Sequence, residues 1–234
     1  MASVILYYHQ YLGDYLICNG LVREYCKTYD KVAIFCTPKY HESVSFMYRD
    51  LPNLKIIDGG ADSGYALLFM FLNKFKHGYD KVVIAGDPYL DPYRDKDNRG
   101  SCEREFYVVA GIDPEKKWSS FCVKRDDKRE GDLFRRIDPR GDYVFLHDDA
   151  RFKIDHKRVG GLQVVSPIAG LTSNIFDYCL LIEKAREIHV IDSSFMFLID
   201  LLPDFGQKLF IHRYARPQTV WRLPALRKNW NVIR

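Results

Sequence analysis

Residues 3–26 read SVILYYHQYLGDYLICNGLVREYC: an apolar strand, a polar turn that carries Gly13 and Asp14, and a helix. A strand that breaks at a glycine and leads into a helix directs backbone N–H groups and the positive end of the helix dipole towards one place. Such a place suits a phosphate or a reacting hydroxyl. Asp14 is therefore either an ordinary helix cap or a working carboxylate, and the rest of the sequence has to discriminate between the two.

The alternation of strand and helix continues along the chain and predicts βαβ units with parallel sheets. In the first half, the predicted strands are Val4–Tyr8, Lys31–Cys36, Leu54–Asp58 and Lys81–Ala85, and the predicted helices are Tyr15–Thr28, His41–Asp50 and Ser63–Lys76. In the second half, the predicted strands are Tyr143–His147, Leu162–Ser166, Ile188–Asp192 and Lys208–His212, and the predicted helices are Asn174–Arg186 and Phe195–Leu202. The sequence therefore predicts an α/β protein of two Rossmann-like lobes whose parallel sheets face a central cleft, the expected place for a ligand.

Interruptions of this alternation of strands and helices suggest the domain boundaries. Residues 1–100 form an N-terminal lobe, residues 101–141 a charged connection with two short helices, around Cys102–Ala110 and Lys128–Ile137, and residues 142–216 a C-terminal lobe. The Pro-containing tail, 217–234, is expected to pack back on the other lobe.

Composition limits the partners. The formal net charge is only +4, and Lys and Arg do not cluster as they do in nucleic-acid-binding tracts, so an anionic small molecule is the better match. The six cysteines contain no C-x-x-C pair and read as reduced thiols of a reducing compartment. The apolar runs are too short for a signal peptide or a membrane span, so a soluble, cytoplasmic protein is expected.

The segment Ile188–Phe195 is the most informative part of the second half. A buried strand ends at Asp192, and Ser193 and Ser194 open the next helix. Their hydroxyl and N–H groups suit a diphosphate, although a plain serine N-cap is an equally simple interpretation.

Two further loops carry candidate groups. The strand that ends at His147 is followed by Asp148, Asp149 and Arg151, which suggest either a metal site or, as we favour, contacts of His147 and Arg151 with a phosphate or sugar. The loop 166–174 brings Thr172 and Ser173 to a helix start, where they would either contact a nucleotide or cap the helix.

The strand, the Leu-Gly-Asp at 12–14 and the long helix resemble the opening of the heptosyltransferase-like glycosyltransferases of the GT-B fold. The run Ile188–Ser194 resembles the donor-lobe strand of that family, and Ser-Ser-Phe at 193–195 is similar to the donor loop of fucosyltransferase-like members of the same fold. The resemblance implies a compact GT-B-like protein with an acceptor-side N-terminal lobe and a nucleotide-sugar-binding C-terminal lobe.

It also implies a function: transfer of a sugar from a nucleotide-diphosphate sugar to a hydroxyl of a glycan or similar acceptor. Asp14 is then the catalytic base, and the helix start at 192–194 stabilises the leaving diphosphate. We expect no resident cofactor, since the nucleotide sugar is a co-substrate. We also expect no metal, because no Asp-x-Asp motif stands out in the first lobe and protein groups can stabilise the leaving diphosphate. The expected donor-binding residues are His147, Arg151, Thr172, Ser173, Asp192, Ser193 and Ser194, and the expected acceptor-side or cleft residues are Gly13, His9 and Asp87.

Other classes fit less well. The first turn lacks the G-x-G-x-x-G of nicotinamide-dependent oxidoreductases, and the chain has no G-x-S-x-G for an esterase. A non-catalytic module that binds nucleotides or sugars stays open, because every expected contact can bind without reacting.

Overall fold

The computed structural model describes residues 2–59, 72, 74–85, 102–159, 161–216 and 224–234. The chain divides into two compact units. Unit 1 comprises Met1–Lys124 with Trp221–Pro224, and unit 2 comprises Arg125–Val220 with Ala225–Arg234.

The described part of unit 1 holds a parallel sheet in the order β3-β2-β1-β4. Its strands are β1 (Ser3–Tyr7), β2 (Lys31–Cys36), β3 (Leu54–Asp58) and β4 (Lys81–Ile84). Every residue of β1 is buried, as expected for an inner strand covered on both faces. The helices are α1 (Leu12–Ile17), α2 (Asn19–Thr28), α3 (His41–Tyr48), α4 (Cys102–Val109) and α5 (Lys116–Ser119).

The prediction of one continuous helix, Tyr15–Thr28, is wrong: the helix starts earlier, at Leu12, and is divided at Cys18 into α1 and α2. The hydroxyl of Tyr107, on α4, donates to the carbonyl of Ile17 at 2.7 Å and accepts from the N–H of Leu21 at 3.1 Å. It thus stands between two backbone groups that would bond directly in a continuous helix, and a side chain inserted there interrupts the ladder.

Gly20 explains how α2 comes so close to α5. A Cβ atom at position 20 would lie 2.0 Å from the carbonyl oxygen of Lys116. Only glycine permits this approach without a backbone shift, so Gly20 fixes the packing of the helix that follows Asp14.

Unit 2 holds a second parallel sheet in its described part, in the order β6-β5-β7-β8-β9. Its strands are β5 (Tyr143–His147), β6 (Gln163–Val165), β7 (Glu187–Val190), β8 (Lys208–His212) and β9 (Trp230–Ile233). The α-helices are α6 (Asp127–Ile137), α7 (Cys179–Lys184) and α8 (Ser194–Leu201), and 3-10 turns cover His156–Arg158, Ile175–Tyr178 and Arg213–Ala215.

Two parts of unit 2 differ from the expected elements. The predicted helix Asn174–Arg186 is a 3-10 turn followed by α7, and the side chain of Asn174 caps the turn by accepting from the N–H of Phe176 at 3.2 Å. The strand β9 was not predicted; it pairs with β8, with Leu209 opposite Trp230. Residues 217–223 of the tail lie outside the described residues, and its packing on the other lobe stays a prediction.

The remaining predicted strands are confirmed to within two residues at either end. The predicted helix Ser63–Lys76 lies mostly outside the described residues. Among the helices that are described, none combines the length and apolar character needed to cross a membrane.

Candidate functional site

Asp14 lies in the first turn of α1, just beyond the carboxyl end of β1. The N–H of Tyr11 donates to Oδ2 of Asp14 at 3.1 Å, and the N–H of Asp14 donates to the carbonyl oxygen of Tyr11 at 2.9 Å. The carboxyl group therefore does cap the helix. Burial raises the pKa of Asp14 to about 7, and the hydrogen bond from Tyr11 opposes this rise. A carboxylate with such a pKa exchanges its proton near neutral pH, so the capping role and a catalytic role are compatible.

The residues between β1 and Asp14 include a polar side chain that the sequence analysis missed. Both polar atoms of the Gln10 amide are buried and have no hydrogen-bond partner in the structure as described. Tyr11 is 73% exposed. His9 packs edge-on against Phe106, with ring centroids 5.5 Å apart. Gly13 lies within α1, and Asp87 lies outside the described residues.

In unit 2, the structure brings together His147 and Ser193, two of the expected donor-binding residues. Ser193 holds the N-cap position of α8, but its hydroxyl makes no cap hydrogen bond. Instead, Oγ of Ser193 lies 3.0 Å from Nδ1 of His147, at the end of β5. The plain N-cap interpretation is therefore wrong for the Ser193 side chain, because its hydroxyl bonds to a histidine from another strand.

His147 is an uncharged partner near neutral pH. Burial lowers its pKa to about 4, against the opposing effect of Asp148 and Asp149. Its ring lies 4.4 Å from that of Phe195, the second residue of α8. A neutral imidazole carries one N–H, so the hydrogen bond to Ser193 leaves the pair with one further hydrogen to donate.

Asp192 contacts two arginines that the sequence analysis missed. Its carboxylate lies 3.2 Å from Nη1 of Arg213, and its backbone carbonyl accepts from Nη1 of Arg216 at 2.6 Å. Both arginines follow β8, whose carboxyl end lies at the same edge of the sheet as the end of β7. Arg213 directly follows the predicted strand Lys208–His212, and this position is the local signal that pointed to the carboxyl edge of the sheet.

Asp148 and Asp149 stabilise the loop that follows β5. Asp149 accepts from the N–H groups of Arg151 and Phe152, at 2.7 and 2.9 Å. Asp148 accepts from Nζ of Lys153 at 3.0 Å and from the N–H of Ile154 at 3.1 Å. These carboxylates shape the loop that carries Arg151, whose guanidinium lies 5.5 Å from the centre of the Phe152 ring.

In the described ranges, no three His, Cys, Asp or Glu side chains form a group suited to a metal ion. The expectation of a metal-independent enzyme took no Asp-x-Asp motif to stand out in the first lobe, and this premise is wrong because the sequence contains Asp95-Lys-Asp97. That run lies outside the described residues.

Thr172 belongs to a hydrogen-bond network with Asp177. Its hydroxyl donates to Asp177, which also accepts from Nε and Nη2 of Arg129, both at 2.9 Å. Thr172 Oγ1 also accepts from the N–H of Asn174 at 3.0 Å. This network fixes the loop before α7, while nucleotide contacts by Thr172 and Ser173 stay a prediction.

A chain of hydrogen bonds that begins in the buried core fixes the segment that carries Arg213. Nδ1 of His189 lies 2.8 Å from Nε2 of His212, and Nδ1 of His212 lies 3.2 Å from the hydroxyl of Tyr214, which accepts from the N–H of Asp155 at 2.9 Å. Nε2 of His189 lies 3.5 Å from the carboxylate of Glu187, which favours a proton on that nitrogen. His212 then donates to His189, and Tyr214 donates to His212.

No family model matches the chain, and no curated protein matches it in sequence. In fold, the chain is similar to a glycosyltransferase family 9 protein from Veillonella parvula, with a TM-score of 0.57 and 9% identity over 90% of this chain and 80% of that chain. It is also similar to the dodecameric iron-containing heptosyltransferase TibC, solved in complex with ADP-D-β-D-heptose. There the TM-score is 0.51 with 10% identity, over 90% of this chain and 57% of that chain.

These likenesses and the two parallel sheets confirm the predicted fold class, an α/β protein with two Rossmann-like regions of the GT-B kind. At identities this low, the likeness concerns the fold alone. The fucosyltransferase-like character of 193–195 stays a prediction.

Proposed function

We propose that this protein is a glycosyltransferase that moves a sugar from a nucleotide-diphosphate sugar to a hydroxyl of a glycan or similar acceptor. The fold likeness to sugar transferases supports the class of reaction. The observation that carries the proposal is the position of the half-buried Asp14 carboxyl in the first turn of α1, beyond the end of the first strand, where its pKa of about 7 suits a general base.

On the acceptor side, Asp14 takes the proton of the acceptor hydroxyl as the acceptor oxygen forms its bond to the sugar. The bond between the sugar and the diphosphate oxygen breaks, and the diphosphate leaves with the electron pair. A carboxyl group with a pKa near the working pH is partly ionised and still basic enough to accept the proton.

On the donor side, the start of α8 and the pair His147–Ser193 bind the departing diphosphate. Ser193 and Ser194 present N–H groups at the positive end of the helix, and His147 or Ser193 donates one further hydrogen bond. We propose that protein groups, and not a metal ion, bind the leaving diphosphate. A cytoplasmic location belongs to the same proposal, since the cysteine spacing does not suggest disulfides.

The variant D14N tests the proposal against that of a non-catalytic binding module. A panel of UDP-, GDP-, ADP- and dTDP-sugars is first screened by thermal shift, since a ligand of the native state raises the melting temperature. For the sugar nucleotide that binds, D14N should retain the affinity of the wild type and lose turnover with hydroxyl acceptors. Wild-type binding with no turnover towards any acceptor would indicate the binding module, and no binding at all would refute both.

A further inference from the structure

We infer that Arg151 and Arg216 bind the diphosphate of the donor nucleotide as a pair, and that Asp192 and Arg213 are positioning residues for this pair. The inference rests on the proposed function and deepens it. It adds two arginines and changes the role expected for Asp192, from a donor contact to a group that orients the donor contacts.

The two guanidinium groups share one aromatic ring. Arg151 lies 5.5 Å and Arg216 5.3 Å from the centre of the Phe152 ring. An aromatic ring holds a guanidinium by cation–π attraction to its face, which does not use the N–H groups at the guanidinium edge. Two like charges around one ring repel each other, and an anion that contacts both relieves this repulsion.

The carboxylates of the same loop form no ion pair with the Arg151 guanidinium in the described residues. Asp149 accepts hydrogen bonds from its own loop, and Asp148 is bonded to Lys153 and the N–H of Ile154. Arg151 is exposed and, within the part of the chain that the structure describes, forms no ion pair. Its charge is therefore accessible to a soluble anion.

Arg216 is held beside the start of α8. It donates to the carbonyl oxygen of Asp192, the residue immediately before Ser193. The Asp192 carboxylate lies against Arg213 at 3.2 Å, and this ion pair offsets a negative charge that would repel a phosphate. Tyr214, between the two arginines, is fixed through His212 and Asp155.

A diphosphate needs more than hydrogen bonds from neutral groups. The end of a helix contributes about half of a positive charge, and the His147 imidazole is neutral near neutral pH. Arginine supplies a full charge and a planar pair of donors that matches two phosphate oxygens. The arginine pair therefore provides the charge that the helix start and His147 lack.

The experiment compares nucleoside diphosphates with their parent nucleosides by isothermal titration calorimetry. UDP, GDP, ADP and dTDP are tested on the wild type, and the tightest binder is carried forward to R151Q, R216Q, R216K and the double variant R151Q/R216Q. The control is R186Q, which removes an exposed arginine at the opposite end of β7 that pairs with Asp142.

We expect R151Q and R216Q each to weaken diphosphate binding about 10- to 100-fold, as for loss of a charge-assisted hydrogen bond. R216K should restore part of the loss, and R186Q should change nothing. The arginine variants should bind the parent nucleoside, where binding is measurable, as tightly as the wild type does, because the nucleoside lacks the phosphates that the arginines contact. For the positioning pair, R213Q leaves the Asp192 carboxylate without its ion pair. R213Q should therefore weaken diphosphate binding by a smaller factor than R216Q does and leave affinity for the parent nucleoside unchanged.

The outcomes separate the inference from the proposed function. If the wild type binds one of the diphosphates and R151Q and R216Q bind it as tightly as R186Q does, the arginine pair is refuted while the glycosyltransferase proposal stands. If R216Q fails to fold, the diphosphate affinities of R151Q and R216K test the inference instead. R151Q changes an exposed residue and R216K keeps the positive charge, so we expect both variants to fold. If the wild type binds no nucleoside diphosphate, the proposed function and this inference both fail.

Discussion

The hydroxyl of Tyr107 lies 2.7 Å from the carbonyl oxygen of Ile17 and bridges the break between α1 and α2. The bridge determines where α1 ends, four residues after Gly13, and so contributes to the placement of Asp14. A residue of α4 is thereby part of the support for the candidate base.

Removing this bridge should destabilise unit 1. In Y107F, the carbonyl of Ile17 and the N–H of Leu21 lose a buried partner, which costs about 1–3 kcal/mol. Urea denaturation measures the change, with Y11F as a control because Tyr11 is 73% exposed. Equal stability of Y107F and the wild type would show that the helix break does not depend on the hydroxyl.

Replacing Asp14 should stabilise the protein above neutral pH. The pKa of Asp14 is about 7 in the folded chain, above its ordinary value of 3.8, so folding disfavours the ionised form. Stability contributed by the neutral carboxyl is lost as the pH rises from about 4 to about 7. At pH 8, D14N should be more stable than the wild type by about 2–4 kcal/mol, and near pH 4 the two should converge. The exposed Asp58 provides the control variant D58N. If D14N were no more stable than the wild type at pH 8, the result would contradict a pKa of Asp14 raised by burial.

The same pKa should appear in the kinetics. If the ionised carboxyl accepts the proton, kcat/KM for the sugar acceptor should rise with pH and reach half of its plateau near pH 7. A rise with its midpoint near pH 4, the ordinary range of an aspartate, would argue against Asp14 as the base.

His147 should make unit 2 sensitive to acid. Its pKa, about 4, is below the ordinary 6.5, so the unfolded chain takes up a proton more readily than the folded one. The stability from the neutral ring is complete above pH 6.5 and is lost as the pH falls towards 4, by about 2–3 kcal/mol. Thermal melts between pH 7 and pH 4.5 should show a smaller loss for H147Q than for the wild type. Parallel slopes for both proteins would exclude this residue as a source of acid sensitivity.

Turnover should survive removal of divalent ions. Protein groups are proposed to bind the leaving diphosphate, so dialysis against EDTA should leave kcat within about twofold of its value. Loss of activity that Mg²⁺ or Mn²⁺ restores would contradict this prediction. The variant D95A, in the Asp95-Lys-Asp97 run, would then show whether that run holds the ion.

The sequence predicted the two sheets well because their strands are continuous apolar runs bounded by turn residues. It could not predict the division of the first helix, because the cause is the hydroxyl of Tyr107, about ninety residues further along. The strand β9 was missed because it is short and none of its residues is buried, so it lacks the apolar pattern of a central strand.

The candidate site was predicted in part for similar reasons. Asp14, His147 and Ser193 follow directly from strand ends, and the bond between His147 and Ser193 shows that two strand ends meet as expected. Arg213 and Arg216 were missed because their significance depends on contacts with Asp192, a residue about twenty positions away. A local motif does not show which carboxylate an arginine will face.

The buried pair of imidazoles, His189 and His212, gives this protein an internal spectroscopic probe. A proton held between two ring nitrogens 2.8 Å apart is shielded from exchange with solvent, because both side chains are almost fully buried. Its resonance should fall well downfield of the amide envelope in a one-dimensional proton spectrum. Since His212 also contacts Tyr214, that one signal would register movement of the arginine-bearing segment when a nucleotide is added, without any label on the protein.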